Sequence, residues 1–175
     1  NDRRTGRRIV DLRDAFVEYE ICKGFLVKAG QFRPPYWAEM LLSDGAVAFV
    51  SRSVLAGGFN PPEAYGPRTH LAPDRQLGVQ ASSKRLGNDT IGFKYAVGVF
   101  NGNGQNQLFN DNNIVNPVGR VEVDYAETVT LGVNAGFNVL TSGVRPNRLS
   151  TNTFDYGVDL EAHKWGFQVL GGFLG

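Results

Sequence analysis

Apolar side chains recur at every second position through most of this chain. A period of two puts them on one face of an extended strand and their neighbours on the other. The pattern predicts about eight strands, over roughly 12–21, 25–32, 76–84, 90–100, 118–126, 128–138, 153–162 and 164–174. One parity is apolar, as in Val17, Tyr19 and Ile21, or Val121, Val123 and Tyr125, or Trp165, Phe167 and Val169. The other is polar or glycine, as in Glu18, Lys28, Gly30, Lys94, Gly98, Arg120, Glu122 and Asp159. Alternation alone fits a soluble sandwich with its apolar face inward and a membrane barrel with its apolar face outward.

The connections separate these readings. Short links ("CKG", "RLGND", "ET", "HK") alternate with long ones at about 33–75, 101–117 and 139–152. All tight turns then fall on one rim and all long loops on the other, as in outer-membrane barrels. Aromatic residues near strand ends (Tyr19, Phe25, Tyr125, Phe154, Tyr156, Trp165 and Phe167) fit an interfacial girdle. The expected fold class is all-β, an antiparallel up-and-down transmembrane β-barrel. The alternative is a small non-transporting barrel or a soluble β-sandwich with a structural or binding role.

Composition narrows the functions. The longest uninterrupted apolar run is Ala46 to Val50, far short of the roughly 20 residues of a membrane helix. A spanning strand needs only about 10 residues, half of them apolar. A net charge of +1 gives no bulk argument for nucleic acid. A single cysteine, Cys22, excludes an internal disulfide framework and reads as a small residue near a turn. His70 and His163 stand in a loop and at a tight turn without metal-ligand spacing or a nucleophile beside them. "NGNGQNQ" and "FNDNN" lack the acidic spacing of a calcium loop. We therefore expect no enzyme, no catalytic residues, no metal and no cofactor.

The connection at 33–75 is the next constraint. Pro34 and Pro35 lack the ladder N–H and end the second strand just past Phe32. In that strand Ala29 reads as the last lipid-facing residue and Gly30 as a gap on the lumen side. "YWAEMLL" reads as a short helix whose Trp37, Met40 and Leu41 need a surface to pack on. The inner wall of a barrel offers one, so the loop is expected to fold inward and narrow a pore. An eight-stranded barrel has no room for such a loop, because side chains fill its interior. The 22 glycines, about 13% of the chain against a usual value near 7%, also leave space. The 175 residues are thus read as a single β-barrel domain, about half of a larger barrel. A complete eight-stranded barrel with outward loops is the rival.

The stretches "LRDAFVEYE", "VKAGQFRPPYWAEMLLS", "SRSV", "RQLGVQASS" and "YAVGVFNGNG" resemble the phosphate-selective porin O and P family of Gram-negative outer membranes. The resemblance runs from Leu12 to about Ala126. It implies a homotrimer of 16-stranded barrels in the outer-membrane lipid that passes small anionic or polar solutes, phosphate among them. Arg33, Arg52 and Arg75 match basic positions of the family motifs, at the two ends and the middle of the loop. Lys28, Lys94 and Arg120 carry lumen parity on strands. These six are the candidate pore-lining, anion-binding groups. Arginine suits oxyanions because its planar fork donates paired hydrogen bonds. Against strong anion selectivity, the lumen parity carries eight acids and only four bases on strands. Charged lumen residues also pair across strands, and Arg120 has Glu122 and Asp124 close by in sequence.

Overall fold

The computed structural model describes residues 13–42, 75–102, 110, 114–142 and 149–175. They form one antiparallel sheet of β1 (Ala15–Cys22), β2 (Phe25–Phe32), β3 (Gln76–Ser83), β4 (Leu86–Gly87), β5 (Ile91–Phe100), β6 (Asn116–Tyr125), β7 (Val129–Ser142), β8 (Leu149–Lys164) and β9 (Phe167–Leu174). A single helical turn, α1 (Ala38–Leu41), follows β2. Each long strand lies beside its neighbours in sequence, in the order β1-β2-β3-β5-β6-β7-β8-β9, and the short β4 pairs with β5. Among the described residues β1 pairs only with β2 and β9 only with β8, so the sheet is open at both edges.

The register keeps one parity on one face from strand to strand. Val79 faces Val99, Phe93 faces Val123, Leu131 faces Leu160 and Val158 faces Phe173. That apolar face is the exposed one. Val17 is 74% accessible, and Val97, Val121, Leu131 and Val158 are all exposed. The core lies on the opposite, polar face, where Phe32, Tyr36, Trp37, Met40, Phe100, Val118 and Leu174 cluster. Here the sheet presents its apolar side chains outward and shelters its polar ones, the reverse of a soluble sandwich.

Turn chemistry accounts for the tight rim. Gly24 takes φ 85° between β1 and β2, and its N–H bonds Glu20 Oε1 at 2.8 Å. Ala126 and Glu127 both take positive φ (49° and 52°) between β6 and β7, the geometry of a type I′ turn. The last turn corrects the sequence reading. Trp165 is the turn tip at φ 53°, 86% accessible, with Lys164 Nζ 4.7 Å from its ring centroid. Two further expectations change. The connection expected at 139–152 shrinks to 143–148, because β7 and β8 keep pairing out to Ser142 and Leu149. Their Thr, Val and Ser residues carry the ladder past where the apolar alternation fades. Gly30 leaves no gap on the polar face: at φ 134° its missing side chain would point into β1, 2.6 Å from Phe16 Cα.

Candidate functional site

The sheltered face is built around the chain that leaves β2. After Phe32 the two prolines stop the ladder, and Tyr36 N–H turns back onto Pro34 O at 2.8 Å. α1 follows at once. Arg33 Nη1 donates to Met40 O and Leu42 O, each at 2.7 Å, and so ties the start of the segment to its end. Segment 33–42 crosses the inner face: the Tyr36 ring lies over Gly136 of β7 and the Trp37 ring over Gly172 of β9. The sheet therefore wraps around it. Trp37 and Met40 pack as the sequence suggests, whereas Leu41 is exposed. Residues 43–74 of the loop lie outside the described residues.

Ion pairs line the same face. Arg75 makes a two-pronged contact with Asp14, Nε to Oδ1 and Nη2 to Oδ2, each at 2.9 Å. This joins the loop's far end to the approach to β1, and the Arg75 hydrogen bond holds the Asp14 carboxyl below its ordinary range. Lys28 pairs with Glu18 at 2.9 Å and sits 4.5 Å from the Phe16 ring centroid. Lys94 pairs with Glu122 at 3.0 Å. Glu122 also accepts Arg120 Nε at 2.8 Å, and Arg120 clasps Asp159 through Nη1–Oδ2 at 2.6 Å and Nη2–Oδ1 at 2.7 Å. The result is one chain of alternating charge, Lys94–Glu122–Arg120–Asp159. Toward the turn rim, Arg85 pairs with Asp124 at 2.8 Å, and that bond raises the Arg85 pKa.

Four of the six candidate residues, Lys28, Arg33, Lys94 and Arg120, line one cavity of about 300 Å³ between segment 33–42 and strands β1, β2, β3, β5 and β6. Asp14 also borders it, so Arg75 meets it through that carboxylate. Arg52 lies outside the described residues. Phe16 and Phe32 supply an apolar side, Gln80 and Ser82 a neutral polar one. The Lys94 side chain is 44% accessible, more than Lys28 at 22% or Arg120 at 4%. An ammonium has three donors, and Glu122 accepts one of them, which leaves Lys94 able to bond a further solute oxygen.

Sequence reasoning missed several contributors. Glu122 was foreseen as a partner of Arg120, but Asp159 was not, and Asp124 belongs to Arg85. Phe16, Phe32 and Phe100 break the polar parity, and Phe32 packs edge-on to both of the others, with centroids 6.0 and 5.4 Å apart. Those three aromatics on the polar parity were the available signal that something apolar packs inside. Among the described residues the Tyr36 hydroxyl and Trp37 Nε1 are buried without a hydrogen-bond partner, each costing about 1–3 kcal/mol. Burial pushes the Tyr36 hydroxyl pKa upward, so it stays protonated. The segment's seat thus depends on apolar contact and on its backbone bonds. No group of three or more His, Cys, Asp or Glu able to hold a metal occurs among the described residues. The chain matches no protein-family model, no curated protein and no solved structure.

Proposed function

We propose that this chain is part of an outer-membrane porin, a closed β-barrel around a water-filled diffusion channel for small solutes, anions such as phosphate among them. The inside-out sheet carries the reading. A continuous exposed apolar face suits lipid, and soluble monomers rarely leave such a face uncovered. The sheltered face suits a passage: it is polar and rich in paired charges, and segment 33–42 lies across it, where it would narrow such a passage. Further strands would close the sheet at β1 and β9. The resemblance to the phosphate-selective porin O and P family supports the same reading, and with it a 16-stranded trimer in the Gram-negative outer membrane.

In this reading solutes pass along the cavity beside segment 33–42, and Lys28 and Lys94 are the strand cations they meet. Their carboxylate partners, Glu18 and Glu122, moderate that charge, so each anion is held weakly enough to leave. Planar-bilayer recording of the purified protein tests this. The expected result is stable single-channel steps and, under a salt gradient, a reversal potential on the anion side. No steps at any voltage would remove the channel reading. A cation-side potential would remove the anion preference and keep the channel.

A further inference from the structure

We propose that Arg120 is a positioning residue that fastens the constriction segment to the wall, and that the bare Cα of Gly132 is what permits it; the inference rests on the pore reading above. Arg120 is on β6 and Asp159 on β8, with β7 between them. Two strand spacings separate them, roughly 10 Å, and the guanidinium covers that distance by passing over Gly132. A Cβ there would stand 2.6 Å from Asp159 Oδ1 and 2.7 Å from Arg120 Cζ, and nearer still to Arg120 Nη2. Gly132 does not adopt a left-handed backbone angle, so the requirement is for space. Any side chain must displace the clasp.

The guanidinium has five N–H donors. One goes to Glu122, two to Asp159, and one, from Nη1, to Tyr36 O at 2.7 Å. Side-chain accessibility is 4% for Arg120 and 2% for Asp159. A solute anion would have to displace a buried, two-pronged carboxylate to engage Arg120, so this arginine does not bind the solute. Its bond to Tyr36 O falls just after the two prolines and just before α1, where the chain turns inward. Arg33 already ties the segment into a unit, and Arg120 ties that unit to the wall.

Trp37 reports the seat. The chain has two tryptophans, and Trp165→Phe, at an exposed turn, leaves Trp37 as the single emitter of these residues; any tryptophan in the further strands is replaced likewise. In that background we expect Gly132→Ala and Arg120→Met each to raise acrylamide quenching of Trp37 several-fold and to red-shift its emission. The reversal potential should stay unchanged, while open-channel noise rises. Thr130→Ala, on the same face of β7 with no side-chain hydrogen bond to the clasp, serves as the comparison and should leave quenching unchanged. The double variant Arg120→Met/Asp159→Leu, which buries no lone charge, keeps the test informative if a single variant fails to fold.

Unchanged quenching in folded Gly132→Ala and in the double variant would overturn the anchor. So would a shifted reversal potential with unchanged quenching in Arg120→Met, which would make Arg120 a solute-binding group. A protein that never conducts but shows raised quenching in the variants would sink the pore reading and support the anchor.

Discussion

Arg120 and Asp14 show how the same charge pairing plays different parts at different depths. Arg120 and Asp159 are sealed from water, where removing one partner strands the other's charge at about 3–5 kcal/mol. Asp159→Ala should therefore destabilise the protein by about that much in denaturant titrations, and Arg120→Met/Asp159→Leu by far less. Asp14 is half-exposed opposite buried Arg75, and its carboxyl is held low chiefly by the Arg75 hydrogen bond. A carboxylate with a depressed folded-state pKa stabilises the fold above its ordinary value of 3.8 and loses that contribution as pH falls through the lowered one. The stability difference between wild type and Asp14→Asn should then be flat from pH 7 to about 4 and shrink below, as followed by thermal unfolding. At this scale the sequence was only half legible. Glu122 could be foreseen because it shares a face with Arg120 two residues away. Asp159 could not, because its approach depends on the register of three strands and on the missing side chain of Gly132.

At the scale of elements, strands were the legible part. Period-two patterning located the ends of β2, β3, β5 and β6 to within two residues, since one face must stay apolar along the whole sheet, whereas it started β1 and β9 three residues early. It failed where that demand lapses. The outer ends of β7 and β8 pair through Thr, Ser and Asn, which read as loop, and Thr153 Oγ1 bonds Asn138 O at 3.1 Å across them. The β6–β7 turn carries a testable cost. Ala126 and Glu127 hold positive φ without being glycine or asparagine, and Asn-Gly is the preferred pair for that geometry. Ala126→Asn/Glu127→Gly should stabilise the hairpin by about 1 kcal/mol in equilibrium unfolding. The exposed Glu127–Arg85 contact at 3.7 Å is too loose to offset the gain.

At the scale of the whole molecule, the sheet's two faces divide by chemistry: one is apolar and exposed, the other holds the paired charges, segment 33–42 and the cavity. An arginine in the outer band, as in Val133→Arg, should cost about 2–4 kcal/mol of stability in lipid if that position lies near the bilayer midplane, read from urea titrations in vesicles. The alternation that implied two faces was legible from the first residues of β1. Which face is the exposed one was not legible from the alternation, because periodicity carries no sense of inside and outside; the proposal that it faces lipid draws on the turns and the Pro34–Pro35 break as well. The most direct test labels β5 one residue at a time. In a Cys22→Ser background, each position from Phe93 to Val97 is changed to cysteine, spin-labelled and reconstituted in lipid vesicles. Collision rates are then measured against oxygen, which partitions into lipid, and against a water-soluble nickel chelate. The account predicts oxygen-dominated relaxation at positions 93, 95 and 97 and chelate-dominated relaxation at 94 and 96. Chelate access at 93, 95 and 97, or no alternation along the strand, would contradict it.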